Sequence, residues 1–533
     1  MSKKKKWLIG AGALTLVLVV CLFIAASILA KRFEPYIHQQ TIQYLSKRFD
    51  SEVELAALHV RIPKISPLRV MMTKGRGVLA SVDGEGVSLR HRGRRDVPPM
   101  FAMKKFSFAV DVGTLFDVKK GIGLVVLDGM EITIPPKGER PDFDSGKPND
   151  QDEGNAGVTI GEVLVRNAKL VILPQDKTKV PLDFHIHEVR LTSVGNEVAM
   201  KYDATLTNAK PPGEIKSTGS FGPWNGPDPD QTPLSGDYIF DKADLGVFNG
   251  IAGILHSTGH FQGVLSSITA RGQADVPDFR LKMAGNPVRL STKFEVQVDG
   301  TNGDTILKPV VARLGSTDFT TSGAVIKHEK DPRRTIKLNV QMPKGQVRDL
   351  LTLAMKGAPF MEGQVYLKTS IDIPPLTTKV REKLLLDGQF DVTQGKFLRS
   401  TIQDQLDSLS QRGQGQPGNE QIDEVVSRMK GVFKLENEVI TFKSLAFAVP
   451  GADVELAGNY DMDHDGLDFF GMLRLQARVS QTMKGWKRWV LKPIDPLFAK
   501  GGAGTLLHVK VDGSARAPKF GLDRKWKDHG KEP

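Results

Sequence analysis

Phe106-Ser107-Phe108-Ala109-Val110-Asp111-Val112 alternates large apolar with small or polar side chains, and that two-residue period decides the fold. Successive side chains of a strand point to opposite faces. Phe106, Phe108, Val110 and Val112 therefore share an apolar face, and Ser107, Ala109 and Asp111 a mixed one. Met130, Ile132 and Ile134 repeat the pattern, and Pro135-Pro136 closes that segment by removing two backbone donors. The period holds from Glu52 through most of the 533 residues, so the expected fold is mostly β.

Segments also resemble one another. Asp128-Gly129-Met130-Glu131-Ile132-Thr133-Ile134 is echoed by Arg166-Asn167-Ala168-Lys169-Leu170-Val171-Ile172, each a turn followed by a strand. Gly272, Ala274, Pro277 and Phe279 share the spacing G-x-A-x-x-P-x-F with Gly513, Ala515, Pro518 and Phe520. Such recurrence predicts duplicated units stacked along one axis.

Three stretches interrupt the strand rhythm. Residues 137–157 are polar, acidic and rich in Gly, Pro, Asp and Asn, the composition of a disordered surface loop. Residues 401–430 carry two helical patterns around residues 412–418, and residues 346–355 place Val347, Leu350, Leu351 and Ala354 on one helical face. So little helix leaves the apolar sheet face two outcomes: packing against a second sheet, or receiving something apolar from outside. Alternation alone fits both.

Outward from the strands, residues 7–30 form an uncharged apolar run. At about 1.5 Å per residue it can cross a hydrocarbon core of about 30 Å. A cleaved signal peptide has a shorter apolar region and small residues before the cut, whereas Ile28-Leu29-Ala30 is a poor cleavage site. Lys3, Lys4, Lys5 and Lys6 precede the run and only Lys31 and Arg32 follow, so the positive-inside bias places the N-terminus in the cytoplasm. Residues 34–50 then read as an amphipathic helix, Pro35 near its start and Ile37, Ile42, Leu45 and Phe49 at helical spacing. Lying at the bilayer surface and packing on the first strands both fit that pattern. The resulting layout is a tail and anchor (1–33), a juxtamembrane helix (34–50), an N-terminal β region (51–345) and a C-terminal β region (346–533) containing the helical insertion.

The chain carries a formal charge of +12; without Lys3 to Lys6, 69 basic and 61 acidic side chains remain, still +8. That surface tolerates anionic lipid headgroups. Nucleic-acid binders concentrate basic residues among aromatic platforms, and the densest tract here, Arg90-His91-Arg92-Gly93-Arg94-Arg95, has no aromatic residue, so no nucleic-acid partner is expected. Cys21 is the one cysteine and lies in the apolar run, which excludes disulfides and thiolate metal sites from the body.

Catalytic signatures are missing: there is no G-x-S-x-G, H-E-x-x-H or phosphate-binding glycine loop. His185 and His187 fall on one side of a strand but lack a third ligand, as do His256 and His260. Asp461, Asp463, Asp465 and Gly466 look like the opening of a calcium loop, but Met472 stands where the closing glutamate belongs, and an acidic hairpin turn fits better. Asp299-Gly300-Thr301-Asn302-Gly303-Asp304 suits a tight turn in the same way. No metal or cofactor is expected. Trp486, Lys487, Arg488 and Trp489, within residues 483–498, mix aromatic and basic side chains as a membrane-interface segment does; tryptophans plugging the end of the sheet fit equally.

Several of these parts, in this order, resemble the AsmA family of membrane-anchored envelope proteins. They are the anchor and short helix, the segment from Ser51 to Val60-Arg61-Ile62-Pro63, the turn at residues 298–305, residues 447–460, Asp495-Pro496 and residues 504–520. The resemblance implies an inner-membrane anchor, a periplasmic body related to bridge-like lipid transfer proteins, and a role in outer-membrane biogenesis. It implies an elongated, taco-like β-groove with an apolar floor, membrane phospholipids as partners, and no catalytic residues. Phe106, Phe108, Val110, Val112, Met130, Ile132 and Ile134 are the expected lining. The competing reading is a non-transporting scaffold that presents loops to envelope assembly proteins.

Overall fold

The two-residue period becomes strands nearly everywhere it occurs. The computed structural model describes residues 38, 39, 42, 43 and 46, then residues 51–523 apart from 62–78, 92–94, 96–97, 112–119, 135–157, 174–180, 195–197, 224, 226–227, 301–302, 329–330, 376–378, 418–424, 484–491, 493–494, 496–503 and 516. The expected anchor, Val112, the 137–157 loop and all four membrane-interface candidates (Trp486, Lys487, Arg488, Trp489) lie outside the described residues. Among the described residues no helix is long and apolar enough to cross a membrane.

The chain divides into two units, Met1–Pro227 and Asp228–Pro533. The first contains β1 (Ser51–Arg61), β2 (Leu79–His91), β3 (Phe101–Asp111), β4 (Lys120–Ile134), β5 (Val158–Ile172), β6 (Leu182–Val194), β7 (Met200–Ala209) and β8 (Pro212–Phe221). Each strand pairs with the next, antiparallel except for β4 and β5. That parallel pair explains the first sequence echo, because Asp128 faces Arg166, Ile132 faces Leu170 and Ile134 faces Ile172. Gly129 and Asn167 both take positive φ, and Asn167 Nδ2 donates to Asp128 Oδ1 at 2.8 Å.

β1 to β6 each carry one extra residue at the same level. The inward positions step from Leu55 to Leu58, Gly84 to Val87, Met103 to Phe106, Leu127 to Met130, Val165 to Ala168 and Ile186 to Val189, with register preserved at this level from β1 through β6; the β3–β4 pairing shifts elsewhere, between Phe108 and Val110. β7 lacks the extra residue, and the register shifts between Ile186 and Glu188 to absorb it. Since a one-residue slip moves every later side chain to the other face, the shared insertion keeps one face apolar across all six strands.

The second unit contains β9 (Pro233–Asp244), β10 (Ile251–Ala252), β11 (Ile254–Val264), β12 (Ser267–Leu281), β13 (Val288–Val298), β14 (Thr305–Leu314), β15 (Thr317–His328), β16 (Asp331–Gln346), β17 (Met361–Ile373), β18 (Leu385–Phe397), β19 (Ser427–Glu436), β20 (Val439–Val449), β21 (Ala452–Asp461), β22 (Gly466–Leu475), β23 (Thr505–Ser514) and β24 (Ala517–Leu522). β9 pairs with β11, β10 extends the edge of β12, and β11 to β24 follow in order, all antiparallel. Among the described residues three α-helices interrupt them: α1 (Val347–Ala354), α2 (Val380–Lys383) and α3 (Ser400–Gly413).

Two expectations change. Gly272 to Phe279 lies within β12, whereas Gly513 to Phe520 crosses the turn from β23 to β24, where Ser514 faces Ala517. Four shared residues thus sit in unlike backbones and mark no structural repeat. Of the two helical patterns at 401–430, the first is α3; residues 418–424 of the second lie outside the described residues, and its last part, residues 427–430, belongs to β19, whose strict alternation of inward and outward side chains follows the strand period.

Candidate functional site: an apolar sheet face

In the first unit, directly opposed residues build apolar rows across the strands. One row runs Val60, Val82, Phe108, Val125, Val163, Leu191 and Tyr202. The next runs Leu58, Gly84, Phe106, Leu127, Val165, Val189 and Ala204, and another begins Leu55, Val87, Met103 and Met130. Cross-strand pairs of this kind are the unit of sheet stabilisation. Phe106 and Phe108 stack at 6.2 Å and pack with Phe101 and Met103 against Val53, Leu55, Leu58, Val82, Val87 and Leu89.

The described residues of the expected lining fall on this face. Phe106, Phe108 and Val110 are opposite Gly84, Val82 and Ala80 on β2; Met130 faces Met103, Ile132 faces Phe101, and Ile134 faces Ile172. Phe106, Phe108, Met130, Ile132 and Ile134 are half-buried, Val110 buried. Residues 38, 39, 42, 43 and 46 are helical; Ile42 packs onto the same cluster, and His38 Nε2 lies 2.9 Å from the Leu55 carbonyl oxygen. Of the two readings of this helix, packing on the first strands is the one its contacts match.

The second unit carries residues that sequence reasoning did not select. Phe390 on β18, Phe433 on β19, Phe442 on β20 and Phe469 on β22 form a chain of ring contacts at 5.7 to 6.5 Å. Gly388, Gly431 and Gly458 stand opposite Phe433, Phe390 and both Phe442 and Phe469. Gly431 here and Gly84 in the first unit leave room for a ring over backbone: a Cβ on Gly431 would come within 2.6 Å of the Phe390 ring, and one on Gly84 within 2.0 Å of Phe106. The signal was the repeated glycine within alternating strands, visible only once register pairs it with phenylalanine.

At one end of the strands helices cover the apolar face. α1 brings Leu350 and Leu351 against Met342, Met361, Val365 and Val392, and α3 brings Leu409 against Val449, Ala452 and Leu475. Asp349 fixes α1 by accepting from Ser316 N (3.0 Å), Ser316 Oγ (2.8 Å) and Thr317 Oγ1 (2.7 Å). Phe390 packs against the edge of the α1 cluster, and Phe390, Phe433 and Phe442 all stay half-buried.

The opposite face is dominated by charged, hydroxyl and amide groups, with Leu164 and Val171 as buried exceptions. Asp237, His260, Arg271 and Glu295 are successive register neighbours across β9 to β13, and Lys308 pairs with Glu295. His260 Nδ1 is 2.9 Å from Asp237 Oδ1, and Arg271 Nε donates to Glu295 Oε2 at 2.7 Å. Hydrogen bonds from Arg271 and then Lys308 hold the Glu295 carboxyl down to about 2. Two depressions open here, one lined by Thr320, Gln341, Lys368 and Gln389, the other by Arg271, Gln273, Lys293 and Glu295. Pro309, Val340 and Val432 share the walls of the first and Phe294 and Pro309 those of the second, so both linings mix polar and apolar groups.

His187, His256, His260 and the acidic turns have structural partners. His256 bonds Asp241, and His187 Nε2 lies 2.8 Å from Thr207 Oγ1. Asp461 Oδ1 accepts from the backbone N–H of Asp463 and His464 at 2.9 and 3.0 Å, closing the β21–β22 hairpin, and these bonds lower its pKa. At the 299–304 turn, Arg334 Nη1 donates to Asp304 Oδ1 at 3.1 Å. Among the described residues no group of three or more His, Cys, Asp or Glu could hold a metal ion. No family model matches the chain, and no curated protein or solved structure does either.

Proposed function

We propose that this chain is a membrane-anchored, AsmA-like periplasmic protein that holds lipid acyl chains in an apolar trough and contributes to outer-membrane biogenesis. The observation that carries the reading is the apolar face: continuous rows of Val, Leu, Phe and Met in the first unit, a phenylalanine floor in the second, and in each a reverse face richer in charged, hydroxyl and amide groups. Residues 7–30 and their basic flank carry the placement in the inner membrane with the body in the periplasm.

The energetics favour this use. Taking a two-chain lipid through water exposes on the order of 30 methylenes at roughly 0.8 kcal/mol each, a barrier of about 24 kcal/mol. A continuous hydrocarbon surface removes most of it. A photoreactive residue in place of Phe108 or Phe433 tests the reading in the membrane. Lipid adducts at both positions support the trough; protein adducts without lipid favour the assembly scaffold.

A further inference from the structure

Antiparallel register fixes which strand ends lie together in the second unit. Leu385–Asp372, Ile336–Ile373, Thr305–Val325, Val298–Thr305 and Val264–Pro233 mark one end, where the connection between β17 and β18 carries α2. Met361–Phe397, Leu314–Thr317, Val288–Phe279 and Ile254–Asp244 mark the other, where the connection from β9 to β11 carries Gly250. On a flat sheet, six strand spacings and most of a strand length would separate Gly250 from α2 by about 40 Å. Instead a Cβ built on Gly250 would lie 3.3 Å from Val380 Cγ2 and 3.7 Å from Val380 Cβ. The sheet therefore curls and twists until opposite strand ends touch.

On its other side α2 is held by charge. Arg381 Nε bonds Glu438 in the β19–β20 turn, and Arg381 Nη2 donates to Asp463 Oδ1 in the β21–β22 turn at 3.1 Å. A helix this short needs such anchors.

We propose that α2 is a strap across the mouth of the apolar trough, resting through Val380 on the far rim and tied through Arg381 to the near one, and that its release admits or frees an acyl chain. The proposal rests on the acyl-chain reading above. It assigns the rate of lipid exchange to a contact remote from the phenylalanine floor.

The contact distance suits a covalent test, since disulfides join Cβ atoms about 3.5–4.5 Å apart. Full-length protein carrying Cys21→Ser, Gly250→Cys and Val380→Cys is oxidised, and transfer of a fluorescent-chain phospholipid is followed from phosphatidylethanolamine–phosphatidylglycerol vesicles. The expected result is a disulfide that slows exchange about tenfold, with full recovery on reduction. Two results overturn the strap: a complete crosslink with unchanged exchange, or no crosslink where a Lys368→Cys/Gln389→Cys register pair does crosslink. Absence of uptake by the unsubstituted protein instead overturns the acyl-chain reading and the strap's role with it, while the crosslink still reports whether the rims meet. If cysteine at the positive φ of Gly250 prevents folding, Arg381→Ala decides: faster exchange supports the strap, an unchanged rate rejects it.

Discussion

Replacing Phe108 with Asp separates an open apolar face from a sealed core. Phe108 sits between Val82 and Val125 and stacks on Phe106 at 6.2 Å, yet remains half-buried. Truncating a fully buried phenylalanine costs about 3–5 kcal/mol, so a half-buried ring corresponds to about 2 kcal/mol. A carboxylate on an open face keeps its water and adds little. In a sealed core it would add several kcal/mol, enough to unfold a domain whose total stability is about 5–15 kcal/mol. Covering that carboxylate with a lipid chain costs about 3 kcal/mol, which weakens binding about 100-fold. Thermal melting and native mass spectrometry of the same preparation read both effects. The account expects a folded Phe108→Asp protein with reduced lipid occupancy and a Phe108→Leu control with normal occupancy. An unfolded Phe108→Asp protein, or one retaining lipid at the unsubstituted level, refutes the reasoning.

Asp349→Ala removes three accepted hydrogen bonds and should cost about 2–3 kcal/mol, with faster hydrogen exchange in α1 and at Ser316 and Thr317. Gly84→Ala places a methyl against the Phe106 ring and should destabilise by about 1–3 kcal/mol, whereas Gly521→Ala meets nothing within 4 Å and should leave melting unchanged. Glu295→Gln tests the charge ladder: because the folded carboxyl titrates near 2 against an ordinary 4.5, its contribution is present above pH 4.5 and lost as pH falls toward 2. The melting temperatures of Glu295→Gln and unsubstituted protein should therefore differ at neutral pH and converge at the acid end.

The period of the Phe106–Val110 segment gave strand and face directly, because side-chain direction in a strand depends only on parity. Helix α1 was equally legible, Val347, Leu350 and Leu351 being spaced to meet one surface. What crosses strands was not. The echo between Asp128 and Arg166 was visible as a string, but its parallel pairing depends on which strands become neighbours. The phenylalanine floor needs register, since Phe390 and Gly431 are distant in sequence and neither is unusual alone. Arg381 meets Glu438 and Asp463 because antiparallel pairing brings the β17–β18, β19–β20 and β21–β22 connections to one end of the strands, and no local pattern encodes that. The four-residue motif shared by Gly272 and Gly513 misled because short strings of strand residues fit an unbroken strand and a hairpin alike.

Lipid analysis of full-length protein extracted in mild detergent, beside a control comprising residues 1–33 alone, tests the central claim most directly. The account predicts phospholipid retained by the full-length protein in excess of the anchor control and lost from a Phe108→Asp/Phe433→Asp variant that still folds. Equal lipid on the two preparations would contradict it.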